Sequence, residues 1–114
     1  MKHSIAKYYE DIRLSIEDIE SYLINISSVK QVEENQMLFD ALCRRFAIIG
    51  EAVYQADKLN PSIPITDKNK IKSLRHIIVH DYDLVRESDI FLIAINKLPI
   101  LKSEIETLLK AFDE

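Results

Sequence analysis

One stretch of the chain concentrates the side chains that can move protons and hold phosphate: Arg75-His76-Ile77-Ile78-Val79-His80-Asp81-Tyr82. A neutral imidazole can take the proton from a ribose 2′-OH, and a guanidinium can stabilise the charge that then builds on the phosphorane. Arg75 and His80 are therefore the candidate catalytic pair for cutting RNA, by a route that calls for no metal and no cofactor and ends in a 2′,3′-cyclic phosphate. DNA lacks the 2′-OH and is not a substrate for this chemistry. On an ideal helix Arg75 and Tyr82 are nearly aligned, whereas Arg75 and His80 stand roughly 140° out of phase. One straight helix does not bring the pair together. A helix ending near His80, the reach of the Arg side chain, or two copies meeting across a two-fold axis could each close the gap.

The same residues admit blander roles. Arg75 can pair with an acidic neighbour, and His80 can join Asp81 in a capping network. His76 and His80 are one helical turn apart and could meet one metal ion, with His3 or a distant Glu as the third ligand such a site needs; the expectation is that no metal binds. Asp81 and Tyr82 could tune His80, or Tyr82 could receive a modification, or its ring could simply pack on the core. Glu51, beside Gly50, could point toward the same place. The chain carries a net charge of −4 and a pI near 5.4, which argues against holding nucleic acid by global electrostatics. Lys68, Lys70, Lys72 and Arg75 nevertheless lie within one short stretch, so a local basic patch could hold RNA phosphates. The alternative is a solvated helix face. Arg44 and Arg45 could add phosphate contacts or sit in intrachain ion pairs.

Elements that could position these groups follow from the apolar spacing. One Gly, three Pro and no Trp among 114 residues leave few breaks, and the residues between them favour helix. Ile5, Tyr8, Ile12, Ile16, Ile19, Leu23 and Ile26 recur at steps of three and four, which predicts an amphipathic helix from about Ser4 to Ser27. A second, from about Glu33 to Leu59, carries Leu38, Ala41, Leu42, Ile49, Ala52, Val53 and Ala56, with Phe39 and Phe46 to the side. That stripe is wide enough for two surfaces, one for the core and one for a second copy of the chain. Gly50 in mid-helix suggests close approach of a neighbouring backbone. Pro61 and Pro64 mark a loop, after which Thr66 or Asp67 can cap a helix running to about His80. A further stretch begins at Leu84, and Pro99 either kinks it or opens a fifth helix. The reading is one all-α domain over residues 1–114, soluble and cytoplasmic, with no membrane span and with Cys43 a small core hydrophobe.

These residues together resemble the HepT-like HEPN proteins. Arg75, four intervening residues, His80, then Asp81-Tyr82 is similar to the arginine, four residues, histidine, any residue, tyrosine motif of that family. Ile48-Ile49-Gly50-Glu51-Ala52 resembles its second-helix signature, Ile63-Pro64 the loop before the motif helix, and Leu98-Pro99 with Leu101 its C-terminal segment. The resemblance implies an antiparallel bundle of four to five helices that forms a homodimer, with the two motif copies bordering a shared cleft and Arg75 and His80 as the ribonuclease residues. It also implies a toxin of a two-gene toxin-antitoxin module, whose partner, a minimal nucleotidyltransferase antitoxin, can add AMP to Tyr82. Two positions depart from the pattern. His76 stands where the family usually has Asn, an exchange that could retune or weaken catalysis because imidazole charge varies near neutral pH. Ile65 stands where a Trp often follows the loop proline. A second expectation, from a different class, is a non-catalytic helical dimer that binds the nucleotidyltransferase or a nucleotide and serves as its modification substrate.

Overall fold

The computed structural model describes residues 4–112, so His3 and the two ends of the predicted domain lie outside the described residues. Helix α1 spans Ile5–Tyr22, and the three-and-four spacing read from the sequence puts Tyr9, Ile12, Ile16 and Ile19 on its buried face. Full burial of such a side chain contributes about 1.5–3 kcal/mol. The helix stops five residues short of the expected Ser27. The following turn leads into a short helix, α2, at Val29–Glu33, which the sequence pattern had not separated from its neighbours. Gln31 explains the break: its Oε1 accepts from the backbone N–H of Ser27 at 2.6 Å and of Ser28 at 3.1 Å, satisfying amides that a continuous helix would not expose.

Helix α3 runs Gln36–Leu59, starting after Asn35, whose Oδ1 accepts from the Leu38 amide at 3.0 Å. Its wide apolar surface has partners within the chain. α1 packs along one side and the helix after the loop, α4, along the other, with α2 and α5 near its start. Phe39 and Phe46, expected at the side of the stripe, are buried with all of its residues except Ala41, which is half-buried. Most of this stripe is thus covered by the chain's own helices.

After α3 the chain turns back through a loop whose Ile63 and Ile65 are buried, so Ile65 supplies the packing at the position where the resemblance led one to expect Trp. Thr66 does not cap the next helix as expected. Its amide and hydroxyl both donate to the Glu104 carboxylate, at 3.1 and 2.8 Å, pinning the loop to the last helix. Asp67 precedes α4 in the left-handed region, with φ of 57°, a conformation its short polar side chain tolerates, and makes no side-chain cap. Helix α4 is Lys68–His80, ending where expected, and a 3₁₀ turn follows at Tyr82–Leu84. α5 spans Glu87–Asn96, three residues later in its start than the apolar pattern suggested, and α6 spans Leu98–Lys110. Pro99 sits in the first turn of α6, where its missing N–H costs nothing, so of the two outcomes foreseen there the new helix is the one formed. The described residues therefore make an all-helical bundle of six α-helices, one more than the upper expectation, because α2 is too short to leave a periodic signature. None of the helices is long and apolar enough to cross a membrane among the described residues.

Candidate functional site

The α3–α4 hairpin is antiparallel, so residues stepping back along α3 meet residues stepping forward along α4. Three polar rungs result. Nearest the loop, Asp57 takes Lys68 at 2.9 Å and Lys72 at 2.8 Å, and both ammonium groups hold its carboxyl below the usual carboxylate range. Midway, Glu51 Oε2 lies 3.2 Å from Arg75 Nε, while Gln55 donates to Glu51 Oε1 at 3.0 Å. At the far end Tyr82 donates its phenolic proton to Asp40 Oδ1 at 2.6 Å.

Gly50 sets the middle rung. A Cβ built there would stand 2.4 Å from Arg75 Cβ and 2.9 Å from the Ile71 carbonyl oxygen, so only glycine lets α4 cross α3 this closely. The expected close backbone approach is therefore α4 itself, and the residue brought against it is Arg75. The guanidinium opens onto a shallow cleft of about 360 Å³ whose lining includes Lys7, Tyr8, Arg44, Glu51, Gln55 and Arg75. Arg44 is exposed in this cleft and has no ion pair among the described residues, whereas Arg45 is tied to Asp18 at 3.2 Å. Of the two arginines, Arg44 is the one available to a phosphate.

His80 is not in that cleft. α4 is continuous through it, so the phase difference between Arg75 and His80 persists, and no hydrogen bond joins them. The His80 ring lies instead against His76, with centroids 4.6 Å apart and planes at 47°, and both residues are exposed. The backbone amide of Asp81 caps the helix by donating to the Ile77 carbonyl at 2.8 Å, but its side chain makes no bond to His80. The two histidines do share a face, as a metal pair would need. No third His, Cys, Asp or Glu joins them among the described residues, and His3 lies outside these.

Tyr82 is held more firmly than the sequence suggested. Its ring packs on Phe39 at 5.9 Å, which answers to the core-packing role, while its hydroxyl bonds Asp40 and accepts from Gln36 Nε2 at 3.4 Å. Gln36 also donates to Asp40 Oδ1 at 2.9 Å, closing a three-residue network. The Asp40 carboxylate, with a smaller contribution from burial, pushes the Tyr82 hydroxyl up to about 12, and the same bond, then that from Gln36, lowers Asp40.

The expected phosphate patch of Lys68, Lys70 and Lys72 is not one surface. Lys68 and Lys72 are committed to Asp57, and Lys68 also donates to the Pro61 carbonyl at 2.6 Å. Lys70 lines a separate, mainly apolar groove of about 410 Å³ between α4 and the α5–α6 junction, floored by Phe46 and Ile49 and walled by Leu74, Ile77 and Ile93 among others. Asp40, Gln36 and Asp57 were not singled out from the sequence. Asp57 was findable, since a short loop between antiparallel helices places the end of α3 beside the start of α4; Asp40 was not, because its partner follows the end of α4. Cys43 is buried as expected, and burial pushes its thiol up to about 12, which leaves it unreactive.

Compared with known proteins, residues 12–108 match the family described as ribonuclease HepT-like. No curated protein and no solved structure matches the chain.

Proposed function

This chain belongs to the HepT-like ribonuclease family, and from that premise we propose that it is a metal-independent endoribonuclease and the toxin of a toxin-antitoxin module. His80 acts as general base and then general acid, and Arg75 stabilises the phosphorane. The observation that carries this reading is the way Arg75 is built in. The chain's single glycine sits where α4 crosses α3, and Glu51 orients the guanidinium toward a solvent-facing cleft. An arginine kept only for a surface ion pair needs no such seat. His80, at the end of the same helix, is exposed, so its ring is accessible to a substrate hydroxyl.

Since Arg75 and His80 point different ways along one helix, the pair converges only if two copies meet, and we take the functional unit to be a homodimer. Support comes from α4 itself, which buries only Ile78 and leaves Ile77 exposed at the apolar groove and Val79 exposed at the Arg75 cleft. RNA phosphates are held by Arg75 and Arg44, with Lys70 outside the cleft; Lys68 and Lys72 contribute only once Asp57 lets them go. The antitoxin is a minimal nucleotidyltransferase that adds AMP to Tyr82. His76 and Asp81 border the site and tune His80.

Cleavage of a mixed RNA pool in EDTA by wild type and His80→Ala tests the enzyme reading, once both are shown to be folded and of equal oligomeric state. The expected outcome is cyclic-phosphate ends from wild type and a loss of about 10²–10⁴-fold in the variant, the usual contribution of a general acid–base group. Equal or absent cleavage would instead leave a binding module that serves as the nucleotidyltransferase's substrate.

A further inference from the structure

The Tyr82 hydroxyl makes the polar contact that fastens the end of α4 to the bundle. The 3₁₀ turn that carries Tyr82 begins two residues after His80 and buries none of its residues. α4 fixes itself at Arg75 through Gly50, but its last turn buries only Ile78 and otherwise leaves Ile77, Val79 and His80 exposed. Besides the burial of Ile78 and the packing of Val85 on the core, this end is held by the contact of the Tyr82 side chain with the start of α3: a 2.6 Å hydrogen bond to Asp40, 42 residues away, with Gln36 bridging the two and Phe39 under the ring. A bond between a hydroxyl and a carboxylate at that distance is charge-assisted and among the stronger ones a side chain can make. The rest of the tether is ring packing at a half-open surface.

We propose that the Tyr82–Asp40 hydrogen bond is a latch that fixes the position of His80, so that Asp40 is a positioning residue for the cleavage site and nucleotidylation of Tyr82 opens the latch. The second half rests on the reading of Tyr82 as the modified residue. In that reaction the phenolic oxygen attacks the α-phosphorus of a nucleoside triphosphate, a new O–P bond forms, the bond to the β-phosphate breaks, pyrophosphate leaves and the phenolic proton is lost to water. Tyr82 then has no proton to give Asp40 and carries a negative phosphodiester against its carboxylate. Attraction becomes repulsion between like charges at the same spot. The 3₁₀ turn is driven off α3 and takes the end of α4, with His80, along. Modification thereby acts on geometry as well as by blocking the surface.

Asp40 and Tyr82 are both exposed, so variants at either leave the core intact. The imidazole signals of His76 and His80, assigned with His80→Ala, are followed by NMR in wild type, Asp40→Ala, Tyr82→Phe, the double variant and Asp40→Asn, alongside RNA cleavage. Each single variant is expected to shift the His80 signals and to lower kcat about tenfold, the scale of one lost charge-assisted hydrogen bond, with little change in KM. The double variant is expected to lose no more than either single one. Asp40→Asn, whose amide oxygen can still accept the phenolic proton, is expected to recover part of the loss. His80 signals unmoved by Asp40→Ala, or a double-variant loss equal to the product of the single ones, would overturn the latch. Should wild type cut no RNA, the ribonuclease reading fails alone, because the NMR arm still decides whether Asp40 positions His80. Should enzymatic nucleotidylation of Tyr82 leave the His80 signals in place, the switch is overturned and the static latch stands.

Discussion

α3 has two long neighbours, and they are held to it by different means. α1 meets it with Tyr9, Ile12, Ile16 and Ile19, all buried, so that pairing rests on apolar area removed from water. α4 is thirteen residues long and buries Ile78 alone, with Ile71 and Leu74 partly buried against the core; it is seated chiefly by a glycine crossing and by three polar rungs. Burial is cooperative and hard to undo, whereas polar rungs at a surface can be broken singly at modest cost. The contrast places the scaffold on one side of α3 and the adjustable, chemistry-bearing helix on the other.

The largest effect expected from breaking this contrast is on the scaffold side. Ile12 is wholly buried, and Ile12→Ala should cost about 2–5 kcal/mol of stability through lost burial and the cavity left behind. Ile77 on α4 is 38% exposed, and Ile77→Ala should cost less than about 1 kcal/mol. Chemical denaturation of the two variants checks the pair. Similar losses would mean that α4 is as much a part of the core as α1.

Gly50→Ala is next in size. The added Cβ gains about 1 kcal/mol in helix propensity, yet it would sit 2.4 Å from Arg75 Cβ, and overpacking costs typically about 1–3 kcal/mol. The methyl meets a Cβ and a backbone oxygen, not the loose end of a side chain, so α4 must move to admit it. A modest net destabilisation is expected, together with a cleavage loss larger than the stability change explains, because Arg75 is displaced from Glu51. A variant as active as wild type would show that the crossing does not seat Arg75.

Much of this architecture was legible in the residues. The spacing of α1 and α3, the Pro-marked loop and the end of α4 at His80 follow from local rules, since each depends on residues within one element. Gly50 was legible as a close approach because glycine in mid-helix is costly without one. What escaped was set by tertiary placement or by short range competition. Gln31 turns back to cap Ser27 and Ser28 and cuts a small helix out of what reads as linker. Asp57 takes two lysines that look free in a linear reading, and Asp40 meets a tyrosine 42 residues away. The sequence marks Lys68, Lys70 and Lys72 as equals. The helix sends Lys70 to another face and gives its neighbours a shared carboxylate.

The smallest effect tests that last rung. Asp57 has a folded pKa lowered by Lys72 and then Lys68 from its ordinary value of 3.8, so the stability it contributes is complete above that value and is lost as pH falls through the lowered one. Asp57→Asn should therefore lower stability modestly at neutral pH, with the deficit shrinking as pH falls below about 4 until variant and wild type converge in acid, which denaturation at a series of pH values will show. The same substitution frees Lys68 and Lys72. RNA binding, measured with the His80→Ala protein to prevent turnover, should strengthen and grow more salt-dependent, by up to about one unit of log–log slope for each lysine that reaches a phosphate. Arg44→Gln should do the opposite, weakening binding with a slope shallower by about one. If Asp57→Asn leaves the slope unchanged while Arg44→Gln lowers it, the RNA runs along the α1–α3 cleft past Arg75 and away from the start of α4. The rung nearest the loop then serves only to hold the hairpin together.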